Sequence, residues 1–100
     1  MKFGLTNRDM ETIQNIFEKY PVINTVYVFG SRAKNTHKSG SDIDLAVMDG
    51  NLPIKTLLRL KNDFEESSLP YFVDIVNYAD LKNPDLKQHI LRVGQNIYSK

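Results

Sequence analysis

Apolar residues recur at helical spacing near the start of the chain, where Met10, Ile13, Ile16, Phe17 and Tyr20 follow one another at steps of three, three, one and three. That is the period of a helix with one buried face. Thr6, with Asp9 three residues on, supplies a capping signal ahead of the run, and Pro21 stops it. Val22 to Phe29 is rich in β-branched and aromatic residues and ends at Gly30-Ser31, which predicts a mostly buried strand. The polar stretch 32–41 reads as a turn region that opens with a short helical segment. From Ser41 to Met48 the pattern switches to alternation: Ile43, Leu45 and Val47 share one face of a strand, and Asp42, Asp44, Ala46 and Met48 share the other.

Asp49-Gly50-Asn51 closes that strand, and Pro53 opens a helix with Ile54, Leu57, Leu58, Lys61 and Phe64 as its expected inward stripe. Ser67 to Pro70 stops the helix, and Tyr71 to Tyr78 reads as a third strand. Asn83-Pro84-Asp85 is a helix start, with a capping Asn, a Pro at the first position and a carboxylate at the positive end of the dipole. Leu86, Ile90 and Val93 follow on one face, Gly94 suits the end, and Asn96 to Tyr98 can add a short edge strand. The expected order is α-β-α-β-α-β-α: an α/β (α+β) fold, a small mixed β-sheet with helices packed on it, as a single domain over residues 1–100.

Composition narrows the functional classes. A chain of 100 residues, 41% hydrophobic and 25% charged, is that of an ordinary globular domain. With no cysteine it has no disulfide, thiolate nucleophile or cysteine-based metal site. Thirteen Lys and Arg against twelve Asp and Glu leave a net charge of +1, without the basic excess of a protein that grips extended nucleic acid. No apolar run approaches the roughly 18–20 residues that span a membrane, and Met1-Lys2-Phe3-Gly4 lacks the apolar stretch of a signal peptide, so a cytoplasmic location is expected.

The chemistry concentrates in two stretches. Asp42 and Asp44, at i and i+2 of a strand, lie on one face roughly 6.5–7 Å apart along the backbone and can converge on divalent cations. Hard oxygen ligands select Mg²⁺ or Mn²⁺, and a third carboxylate would allow two ions to clamp the attacking and leaving oxygens of a phosphoryl displacement. Asp74 is the natural third ligand, because it is a lone acid inside the apolar run Tyr71-Phe72-Val73-Asp74-Ile75-Val76, where an unpaired buried carboxylate is unfavourable. A solvent-facing position on an edge strand is the bland alternative. Gly30 and Ser31 sit where a strand meets a turn, so that backbone N–H groups and the Ser hydroxyl can donate to phosphate oxygens. No acid occurs from Lys19 through Ser41, whereas Arg32, Lys34, His37 and Lys38 all lie there, a loop that favours a polyanion or is simply solvated. His89, one residue before Ile90, reads as a surface or half-buried helical residue without a catalytic part.

Gly30-Ser31, the ten residues 32–41, and Asp42-Ile43-Asp44 together resemble the Gly-Ser-x10-Asp-x-Asp signature of the DNA polymerase β-like nucleotidyltransferase superfamily, and the chain is similar to its minimal nucleotidyltransferase branch over nearly its whole length. By that resemblance Gly30 and Ser31 hold the β- and γ-phosphates of a nucleoside triphosphate, with Arg32 and Ser41 as further nucleotide contacts. Asp42 and Asp44 ligate Mg²⁺, and Asp74 binds the metal facing the acceptor. The resemblance further implies AMP transfer from ATP to a tyrosine of a small helical HEPN-type toxin, with this chain as the antitoxin. Arg32 is open to a second reading, pairing with a carboxylate. Haloacid-dehalogenase phosphatases and nucleotide-sugar glycosyltransferases also use Asp-x-Asp, but the former usually carry Thr or Val where this chain has Ala46, and both need a longer chain. The competitor of another class is a non-catalytic module of the same fold that binds nucleotide or only masks a partner protein.

Overall fold

Thr6 caps the first helix as its sequence anticipates. In the computed structural model, which describes residues 2–100, its side chain accepts from the Asp9 N–H while the Asp9 carboxylate accepts from the Thr6 N–H. The helix, α1, spans Asn7–Glu18 and buries Ile13, Ile16 and Phe17. β1 (Thr25–Phe29), a single helical turn α2 (Gly30–Ala33), β2 (Ile43–Val47), α3 (Ile54–Glu65) and β3 (Val73–Asn77) follow. A short 3₁₀ turn (Tyr78–Asp80), α4 (Pro84–Val93) and β4 (Gln95–Ser99) complete the chain. β1, β2 and β3 are each shorter than the runs that announced them, because their flanking residues serve the turns, whereas β4 is longer than the expected Asn96 to Tyr98. β4 adds a final element to the expected order.

The sheet is mixed, as expected, with strand order β3-β2-β1-β4. β1 runs antiparallel to β2 and to β4, while β2 and β3 are parallel. Parallel neighbours need a crossover, and α3 provides it. One face of the sheet presents Val26, Val28, Ile43, Leu45, Val47 and Ile75 to Ile13, Phe17, Leu60 and Phe64 of α1 and α3. The other face carries Phe29 and Ala46 against Ile90 of α4, flanked by Tyr27, Val76 and Leu86. Where α1 meets α3, the Tyr20 hydroxyl donates to Asp63, and burial together with that carboxylate pushes the phenol up to about 12.

The inward stripe of α3 differs from the expected one. Leu60 and Phe64 are buried and Leu57 packs against the core, whereas Ile54, Leu58 and Lys61 are exposed. Both registers have helical spacing, so periodicity alone does not choose between them. The docking of α3 on Val73 and Ile75 does. Pro53 stands one residue earlier than expected, as the N-cap of the helix.

Gly94 ends α4 for a reason other than backbone handedness. Its φ of −61° is open to any residue, but a Cβ there would collide with the Ile90 carbonyl oxygen and lie 3.0 Å from Cδ2 of Tyr27. Gly94→Ala therefore forces α4 away from β1 and is expected to lower unfolding stability by about 1–3 kcal/mol. Urea denaturation followed by circular dichroism measures this, and an unchanged midpoint would contradict the close approach.

Candidate active site

β1 delivers the chain to Gly30 at the sheet's end, where the backbone turns with φ +72°, a conformation that glycine adopts without strain. Space adds a second requirement. A Cβ on Gly30 would stand 2.5 Å from Oδ2 of Asp44, so only glycine lets the turn and this acid lie together. The antiparallel register explains the meeting, because Asp44 is the direct partner of Phe29, the residue before the turn.

On its other side Asp44 is the direct partner of Asp74 across the parallel β2–β3 pair. Partners in register share a face, and neighbouring strands lie roughly 4.8 Å apart, so the two acids stand side by side. Asp42, just before β2 begins, is exposed, as is Asp74, whereas Asp44 is half-buried. Burial, then the charge of Asp74, then that of Asp42, raise the Asp44 carboxyl above its ordinary value, with Arg32 opposing. Among the described residues, no three carboxylate or imidazole groups close into a ready-made metal cage. The cluster is instead open, with neighbouring like charges that raise the proton affinity of Asp44 and a set of hard oxygen donors that suits a divalent cation.

Arg32, expected among the nucleotide contacts, is placed otherwise. It is only 2% exposed. Its Nε and Nη2 donate to the Ser41 carbonyl at 3.1 and 2.7 Å, Nε also to the Asp42 carbonyl at 3.3 Å, and Nη1 to the Phe3 carbonyl at 2.8 Å. The guanidinium also stacks on the Tyr71 ring, 4.4 Å from its centroid. A buried group so engaged is a strut that holds the stretch leading into Asp42, and it pairs with no carboxylate side chain in a salt bridge. Ser41 is drawn into the same support, because besides its carbonyl its hydroxyl oxygen accepts from the Lys38 N–H at 2.9 Å. Ser31 is half-buried beside Gly30, and Lys34 and Lys38 are exposed on the intervening loop.

His89 is half-buried, within the surface or half-buried reading of the sequence, but its contact with the turn was not foreseen. Nε2 of His89, from α4, accepts from the Gly30 N–H at 3.2 Å, and its ring meets Phe29 edge-on with centroids 6.2 Å apart. The available signal was its place three residues after Leu86 and four before Val93, on the face of α4 that looks toward the sheet.

The chain matches the family model "Polymerase beta, Nucleotidyltransferase" over residues 11–100. It belongs to the polymerase β nucleotidyltransferase family. The nucleotidyltransferase class expected from the signature is thus met. Within that family the chain is 33% identical, over 99% of its length and 87% of the relative's, to the probable protein adenylyltransferase MntA of Haemophilus influenzae. A crystal structure of a toxin–antitoxin with AMP-PNP shares the fold, with a TM-score of 0.74 over 92% of this chain and 74% of that one at 24% identity. The complex of a tri-AMPylated Shewanella oneidensis HEPN toxin with an MNT antitoxin also matches, with a TM-score of 0.54 over 91% and 73% at 19% identity. Gly30, Asp44 and Asp74 lie together at one end of the sheet, with Asp42 just before β2. No helix among the described residues is long and apolar enough to cross a membrane.

Proposed function

We propose that this nucleotidyltransferase transfers AMP from ATP to a tyrosine hydroxyl of a small helical HEPN-type toxin, and so acts as a cytoplasmic antitoxin. The observation that carries the reading is the side-by-side placement of Asp44 and Asp74 on neighbouring strands, with Gly30 against Asp44. The names of the relatives, an adenylyltransferase and toxin–antitoxin complexes, supply the acceptor class.

Asp42, Asp44 and Asp74 would hold Mg²⁺, which supplies charge neutralisation for the triphosphate when bound. Gly30 and Ser31 bind the β- and γ-phosphates, Gly30 by letting the backbone come close and Ser31 through its N–H and hydroxyl, while the Gly30 N–H is held by His89. Asp74 faces the acceptor and takes the proton of its hydroxyl. The freed oxygen attacks the α-phosphorus in line, the bond from that phosphorus to the β-phosphate bridging oxygen breaks, and pyrophosphate leaves with the electron pair. Positioning and electrostatics carry this chemistry. Arg32 acts only by holding Asp42 in place.

The test is transfer of α-labelled AMP from ATP to the purified partner. EDTA is expected to suppress labelling by at least about a hundredfold, with Mg²⁺ in excess restoring it. Labelling that persists undiminished in EDTA would refute the carboxylate–cation assignment, and partner binding without any labelling would favour a masking module.

A further inference from the structure

Two large apolar side chains of α3 point away from the core. Ile54 and Leu58, one turn apart, are 65% and 57% exposed, while the same helix buries Leu60 and Phe64. A surface helix normally presents polar residues opposite its buried stripe, and clustered exposed apolar surface marks a contact site. Phe72, also 65% exposed, stands just before β3. Leu58 and Phe72 share a cleft of about 510 Å³ whose wall also includes Leu69, Val73 and Asp74. β3 is the outermost strand and among the described residues pairs only with β2, so one side of its backbone has no sheet partner there. Lys61, Asn62 and Glu65 line the same cleft beside these apolar side chains. An edge strand beside such a cleft is suited to take up an extended segment as an added strand.

We infer that this cleft docks the acceptor protein. An extended segment of that protein lies along the free edge of β3, lodges an aliphatic or aromatic side chain between Leu58 and Phe72, and brings a hydroxyl-bearing residue to Asp74. The occupant follows from continuity, because Asp74 is both a wall of the cleft and the partner of Asp44, so a chain that fills the cleft reaches the acids. The triphosphate does not account for the cleft. Gly30-Ser31 continues from β1, and β2 with Asp44 lies between β1 and β3. Phosphates held at the β1 side and an acceptor entering at the β3 side approach Asp44 from opposite directions, as in-line displacement requires. Phe72 and Asp74 are two residues apart, and a strand rises roughly 3.3 Å per residue, so the apolar anchor sits about two residues from the acceptor hydroxyl residue.

The inference rests on the proposed transfer reaction, and the experiment separates the two. Leu58→Glu and Phe72→Glu alter exposed positions and leave the fold intact, as does Leu91→Glu, a control on α4 that is 60% exposed. The first two variants are expected to bind a purified HEPN-type acceptor protein roughly tenfold to a hundredfold more weakly. Their KM for that acceptor rises in step, kcat and ATP affinity stay within about twofold, and Leu91→Glu changes none of these. Partner affinity and acceptor KM unchanged in both variants would overturn the docking site. A photoreactive phenylalanine analogue in place of Phe72 supplies a readout independent of chemistry. Cross-linking there without AMP transfer would sink the reaction and keep the docking site, whereas AMP transfer without cross-linking would do the reverse.

Discussion

Asp44→Asn is expected to reduce AMP transfer by at least about a thousandfold in kcat/KM, and to raise the thermal midpoint of the protein in EDTA. Loss and gain have one cause. Burial and the neighbouring charges of Asp74 and Asp42 raise the carboxyl above its ordinary value of 3.8, so the folded chain binds that proton more tightly than the unfolded one. Stability from this group is therefore greatest below the ordinary carboxylate value and is lost as pH rises through the raised one. At neutral pH the folded protein carries an unfavourable charge that a cation relieves and that Asn lacks. The advantage of Asn should grow with pH and vanish in acid. Calorimetric scans of wild type and variant in EDTA from about pH 4 to pH 8 check the sign. A variant that melts lower at neutral pH, or retains transfer, would contradict the role given to this acid.

Arg32→Met is expected to lower stability by about 3–5 kcal/mol, a large share of what a domain of this size has. Methionine fills part of the volume but leaves the Ser41, Asp42 and Phe3 carbonyls without their donor. Arg32→Lys should recover little, because a point charge cannot reach three carbonyls and stack on Tyr71 at once. Urea unfolding gives the magnitude. A mild effect on folding combined with a large rise in KM for ATP would return Arg32 to the phosphate contacts expected from sequence.

The sequence was most legible where local chemistry and tertiary packing agree. The Thr6 cap, the Asn83-Pro84 start and the alternation through Ile43, Leu45 and Val47 each appear in the structure as read. Asp74 was singled out as a lone acid in an apolar run on the expectation of burial, but it stands exposed on the edge strand β3, the position of the bland alternative, in register with Asp44. α3 was misread because Ile54 and Leu58 are as apolar as Leu57 and Leu60, and only the sheet beneath selects which pair turns inward. Arg32 was placed among the phosphate contacts because a basic residue after Gly-Ser is equally consistent with an anion and with backbone carbonyls. The contact from Phe3 comes from a distant part of the chain that no local pattern announces. The contact of His89 with the turn was not foreseen for a similar reason, since its partner is a main-chain N–H on another element.

The parallel pairing of β2 with β3 also bears on when the enzyme comes into being as the chain folds. The hairpin of β1 and β2 needs only nearby contacts and can bring the glycine turn to Asp44 early. Asp74 joins them only when the longer loop that contains α3 is closed. The mutual repulsion of the acids is therefore met late, once most of the apolar core is in place to withstand it, and a partly folded chain carries no assembled site able to act on the wrong hydroxyl.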